Sequence, residues 1–161
     1  MRRVLVAGIG NVFLGDDGFG PAVARHLVER GDLPDQVRVV DYGIRGLHLA
    51  YDLLYGVAAL VLVDALPGED APGTVTVLEV SPADGHDLPV SGGVDAHAMD
   101  PATVLATLHR LGGTLPPTYV VGCRPANLDE GMGLSPAVAA AVPEALAAVD
   151  VLLSKLTTEG T

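Results

Sequence analysis

Apolar positions along the chain alternate between short continuous runs and stretches spaced by three and four, which predicts alternating strands and helices. Val4 to Ile9 is an apolar run closed by Gly10-Asn11, the pattern of a strand buried on both faces. Phe19, Ala22, Val23, His26, Leu27 and Arg30 then recur at helical spacing. The expected cap of that helix is Asp16 or Asp17, and Gly31 is its end. Val37 to Val40 reads as a second strand running into Asp41-Tyr42-Gly43, with Leu47, Ala50 and Leu54 as one face of a second helix. Val57 to Val63 is a third strand, ending at Asp64.

Thr74 to Val77 alternates polar and apolar, the mark of a half-buried strand. The stretch between Asp64 and Thr74 is shorter than the dozen or so residues a parallel crossover needs, so this strand is expected to be antiparallel and at an edge. Ser81 to Val94 reads as a loop. Asp100-Pro101 opens another helix with apolar face Val104, Leu105, Leu108 and Leu111, ended by Gly112-Gly113. Tyr119 to Cys123 is a fifth strand. Ser135-Pro136 starts a long Ala- and Val-rich helix that Pro143 is expected to kink or split. The sum is an α/β three-layer sandwich: a mixed, mostly parallel five-strand sheet with one antiparallel edge strand and helices on both faces.

The length of 161 residues suits a single domain over 1–161, with about the last six residues as a flexible tail. Hydrophobic residues make up 49% and aromatics only 4%, so Val, Leu and Ala must build the core. A net charge of −11 repels a phosphate backbone, which argues against nucleic acid as a partner. The run Leu53 to Val63 is too short to span a bilayer, and the apolar stretch after Arg2-Arg3 is broken by Gly8, Gly10 and Asn11 rather than continuing as a signal peptide. No membrane partner is therefore expected. Cys123 is the only cysteine, which suits a reducing cytoplasm, and a monomer is expected.

In open α/β sheets, ligands bind beyond the carboxyl ends of the parallel strands. There the sequence places Asn11 and Asp16-Asp17 after the first strand, Asp41 after the second and Asp64 after the third. Asp95 and His97 precede the third helix, and Cys123-Arg124-Pro125 closes the fifth strand. Carboxylates gathered without lysines are costly unless a proton or cation sits among them. Two carboxylates and one imidazole can hold a divalent cation with positions left open. Each residue also has a plainer role available: Asp17 as an acid in a first helical turn, Asp64 as a loop cap, His97 as a solvated side chain. His26, His48, His86 and His109 are assigned to solvent, and Cys123 to packing. Gly8-Ile9-Gly10 hints at dinucleotide binding, but Phe13 stands where the third glycine belongs, and Asp16-Asp17 would repel a pyrophosphate.

In order along the chain stand Gly8-Ile9-Gly10-Asn11, Asp16-Asp17-Gly18-Phe19-Gly20, Asp41-Tyr42-Gly43, Gly46, Asp64-Ala65, Pro72-Gly73-Thr74, His97, Gly122 to Pro125 and Gly133-Leu134-Ser135-Pro136. Together they resemble the hydrogenase maturation proteases, from about residue 4 to about residue 153. The resemblance implies an endopeptidase that removes a C-terminal peptide from the nickel-loaded large-subunit precursor of a nickel–iron hydrogenase. It further implies Asp17, Asp64 and His97 as the residues that contact the substrate's own nickel, with no organic cofactor. Asp16 is an alternative to Asp17, and Asp41 matches a further functional acid. Attack on the peptide bond then falls to a water activated by Asp17 or Asp41, or to a carbonyl polarised by the metal. Asp17, Asp41 and Asp64 are thus the catalytic candidates. A non-catalytic chaperone for metal or precursor is the alternative reading. Ile44-Arg45 departs from the family pattern, in which many members have Thr before a small residue, and this bears on the identity of the substrate.

Overall fold

Five short, Val- and Leu-rich segments pair into one sheet in the order β2-β1-β3-β5-β4. The computed structural model describes residues 3–80 and 101–159. Its strands are β1 (Val4–Ile9), β2 (Val37–Gly43), β3 (Ala59–Ala65), β4 (Val75–Val80) and β5 (Thr118–Cys123). Its helices are α1 (Phe19–Arg30), α2 (Gly46–Leu54), α3 (Pro101–Arg110) and α4 (Pro136–Glu159). β1 pairs in parallel with β2 and β3, and β3 with β5, while β4 runs antiparallel to β5. The antiparallel edge strand is where the short connection after Asp64 requires it.

Every residue of β1 and β5 is buried, because helices cover both faces of the sheet. One layer joins Val4, Val6, Val61 and Val63 to Phe19, Val23 and Leu27 of α1 and to Val138, Val142 and Val149 of α4. The other joins Leu5, Leu60, Leu62 and Val120 to Leu49 and Leu53 of α2 and to Val104 and Leu108 of α3. The expected face of α2 is rotated: Leu49, Ala50 and Leu53 are buried, whereas Leu47 and Leu54 are exposed. Leu111, expected on the α3 face, lies past the helix end and is exposed.

Pro143 lies inside α4 and does not split it. The ring removes one backbone hydrogen bond, and burial of Val138, Ala141, Val142 and Ala145 holds the helix against the sheet on both sides of the gap. The helix continues through Glu159, over most of the expected tail. By length and composition α4 could cross a membrane. Its apolar residues are also those required to cover the sheet, which makes this weak evidence for a span.

Two close approaches set the position of the first helix. A Cβ on Gly8 would overlap the Gly20 carbonyl and come within 2.9 Å of the Ala24 Cβ. One on Gly20 would overlap the carbonyl oxygens of Ile9 and Val63. The amino end of α1 therefore rests directly on the carboxyl ends of β1 and β3.

Candidate active site

The strand order reverses between β1 and β3, the switch point where open α/β sheets bind their ligands. The chain leaves β1 through Gly10-Asn11 and a 3-10 turn, Gly15–Gly18, before entering α1. Gly10 has φ +145°, and a Cβ there would overlap the backbone carbonyl of Asp17. Asp17 is thereby seated on the end of β1. Its Oδ2 accepts the Asn11 N–H at 2.7 Å, and its other oxygen accepts no hydrogen bond from the described residues.

Asp64 closes the apolar run of β3, one residue beyond the Gly8–Val63 pair and opposite Gly122 of β5. It is only 6% exposed, at the mouth of the core rather than in solvent. Asp41, on the other side of β1, is opposite Gly8, and β2 carries an extra residue before Gly43 meets Ile9. Asp41 Oδ1 accepts the Gly43 N–H at 3.0 Å, and the Gly43 carbonyl accepts the Gly10 N–H at 2.9 Å. Arg45 closes this corner by donating to the carbonyls of Asp41 and Tyr42. Asp17, Asp41 and Asp64 thus follow or end three adjacent strands. Among the described residues, no three His, Cys, Asp or Glu side chains are grouped to hold a metal ion. His97 and Asp95 lie outside the described residues.

Asp16, weighed as an alternative to Asp17, is engaged elsewhere. It is fully buried, and its two oxygens accept four hydrogen bonds. These come from the N–H groups of Ala126 (2.8 Å), Asn127 (2.9 Å) and Ser135 (2.7 Å) and from the Ser135 hydroxyl (2.9 Å). Burial pushes its carboxyl up, but the backbone donors of Ser135, Ala126 and Asn127 and the Ser135 hydroxyl outweigh this, and the net shift is below the usual carboxylate range. Asp16 ties the loop before α1 to the segment that leads into α4. Neither Asp16 nor Asp17 caps α1: the 3-10 turn intervenes, and Gly18 is the N-cap, without a side-chain bond. The signal for the Asp16 partners was Gly133-Leu134-Ser135-Pro136, whose Ser135 reads from sequence simply as the start of a helix.

Cys123 is buried, and burial followed by the negative charges of Asp16 and Glu144 pushes its thiol up to about 11. It is a packing residue and no nucleophile at neutral pH. A thiol reagent such as Ellman's at pH 8 is expected to leave Cys123 unmodified in the native protein and to label it fully in 6 M guanidinium; rapid labelling of the native state would contradict this. His26 and His109 are exposed, as expected. His48 lies 3.8 Å from Asp52 and edge-on to Tyr42, whose hydroxyl donates to Asp52 at 2.6 Å.

The hydrogenase maturation protease family model matches residues 21–150. The chain belongs to the hydrogenase maturation protease family. It is 34% identical over 150 residues to the hydrogenase expression/formation protein HupD of Rhodobacter capsulatus, covering 91% of this chain and 69% of HupD. It is 31% identical over 147 residues to the hydrogenase 2 maturation protease of Escherichia coli, covering 89% and 86%. The solved structure of the maturating endopeptidase HybD from E. coli superposes with a TM-score of 0.80 at 31% identity, over 95% of this chain and 93% of that one. This family member is accordingly a peptidase, a hydrolase of peptide bonds, and its fold is that of the HybD-type proteases. In this maturation protease, the carboxyl edge of the sheet carries Asp17, Asp41 and Asp64.

Proposed function

We propose that this peptidase removes a C-terminal peptide from the large-subunit precursor of a nickel–iron hydrogenase, and that Asp17, Asp64 and His97 test the precursor by completing the coordination of its nickel. The observation that carries this reading is the position of Asp17 against the end of β1 and of Asp64 at the end of the adjacent β3, where the strand order reverses. Nickel accepts carboxylate and imidazole ligands, and three of them leave positions for groups of the substrate. The nickel belongs to the substrate, so an open, incomplete donor set suits a sensor better than a closed storage site would.

The third donor, His97, is the one the family resemblance implies; α3, which opens at Pro101 after it in the chain, packs on the face of the sheet that carries Leu60 and Leu62. By strand alternation Asp64 belongs to that same face. Asp17 is preferred to Asp16, whose oxygens are already occupied by Ala126, Asn127 and Ser135. Asp17 or Asp41 then takes the proton of the attacking water, and the substrate's nickel is positioned to polarise the scissile carbonyl. A single cysteine, buried as a free thiol, fits work in the reducing cytoplasm.

Mass spectrometry of the precursor after incubation with the protein tests this function. A nickel-loaded precursor is expected to lose a C-terminal peptide, while the nickel-free precursor keeps its mass. Tight binding of the loaded precursor with no change in mass would instead indicate a chaperone.

A further inference from the structure

Large apolar side chains stand exposed around the carboxyl edge of the sheet. Phe13 is 63% exposed and Met132 72% exposed. The two are held side by side by backbone pairing: Gly15 N–H donates to the Gly131 carbonyl at 2.8 Å, Gly131 N–H donates to the Phe13 carbonyl at 2.8 Å, and Leu14 bridges Gly131 in parallel. Leu14 and Gly131 are opposite each other in this bridge, which sets Phe13 and Met132 one residue to either side of it on the two paired segments. Leu128, also exposed, belongs to the same loop. The loop is internally braced by the Asp129 N–H bonded to Asn127 Oδ1 at 2.8 Å, and anchored by the Asn127 N–H on Asp16.

Ordered apolar side chains left in water are a cost that an interface removes. One half of the ribbon, Phe13 to Gly15, lies in the segment that joins β1 to Asp17, so a substrate that reaches Asp17 passes beside it. The protein is a peptidase, and the object that must reach this edge is a polypeptide.

We propose that the Phe13–Met132 ribbon, with Leu128, is the docking surface for the folded body of the protein substrate, and that it receives an apolar patch bordered by basic residues. This rests on the proteolytic function proposed above and names the part of the protein that seats its substrate. Charge specifies the partner. Asp129 and Glu130 sit between Leu128 and Met132 and are exposed, on a chain of net charge −11. A second copy of this chain docked through the same patch would bring its own acids against them, whereas a basic border is attracted.

The test is the affinity of the full-length, nickel-loaded large-subunit precursor of a nickel–iron hydrogenase from the same genome, measured by calorimetry. Phe13→Ser/Met132→Ser is expected to weaken binding at least about tenfold, equivalent to ~1.4 kcal/mol. Phe13→Leu/Met132→Leu, which keeps the ribbon apolar, should retain most of the affinity. Val28→Ser/Val151→Ser, which removes exposed apolar side chains from α1 and α4, should retain all of it. Raising the salt concentration should weaken the wild-type complex. Equal affinity of the Phe13→Ser/Met132→Ser variant and wild type overturns the proposal, as does a precursor that does not bind wild type. A wild-type dimer that this variant dissociates without loss of precursor affinity also overturns it. The mass of the precursor, followed in the same samples, reports separately on proteolysis: the expected affinity pattern with an uncleaved precursor supports the docking surface and overturns the proteolytic reading alone.

Discussion

Asp16→Ala is expected to lower the stability of the protein by about 3–5 kcal/mol, a large part of the roughly 5–15 kcal/mol a domain of this size has. The substitution strands the N–H groups of Ala126, Asn127 and Ser135, which converge on one fully buried carboxylate. It also cuts the tie between the 3-10 turn before α1 and the segment entering α4, so the turn that seats Asp17 loosens with it. The sign of the pH dependence follows from the carboxyl being held below its ordinary value. Its contribution is complete above the unfolded value of about 3.9 and is lost as pH falls through the lower folded value. Urea denaturation of wild type and Asp16→Asn at pH 7 and at pH 3 checks this. The deficit of the variant should be clear at pH 7 and shrink at pH 3; an equal deficit at both would remove the charge from the account.

Asp64→Asn and His97→Ala are each expected to reduce processing of the nickel-loaded precursor by at least about a hundredfold, the scale on which removing a group that acts in the transition state is felt. Asn keeps the shape of Asp64 at the end of β3 but is a poor ligand, so the sheet should persist while recognition fails. Asp64→Asn is therefore expected to keep its circular dichroism spectrum and cooperative unfolding while losing activity. Single-turnover cleavage followed by mass spectrometry separates the outcomes: full activity in both variants would remove Asp64 and His97 from the site.

The fold was largely legible because its strongest signals are long-range consistent ones. A continuous apolar strand such as Val4–Ile9 can only be buried on both faces, and the short connection after Asp64 excludes a parallel crossover. What local pattern could not supply was rotation and exact use. Leu47 and Leu54 have the right spacing for a buried face, but contact with α3 and the sheet selects Leu49, Ala50 and Leu53. Pro143 is a breaker by local chemistry, and tertiary burial keeps α4 in one piece. Asp16 and Asp17 are neighbours with identical side chains. Only the fold shows that one turns inward to Ser135 and the other sits against Gly10. The third donor, His97, lies outside the described residues, and its assignment stands on sequence and family pattern.

That the protease completes the coordination of its substrate's nickel can be read from X-ray absorption at the nickel edge. The nickel-loaded precursor would be measured alone and after mixing with stoichiometric protease, frozen before turnover. Added nitrogen or oxygen neighbours are expected at about 2.0–2.2 Å, as for imidazole and carboxylate ligands on a divalent metal of this size. The imidazole contribution should be absent with His97→Ala and the carboxylate contribution reduced with Asp64→Asn. A nickel environment unchanged by the wild-type protease would contradict the claim.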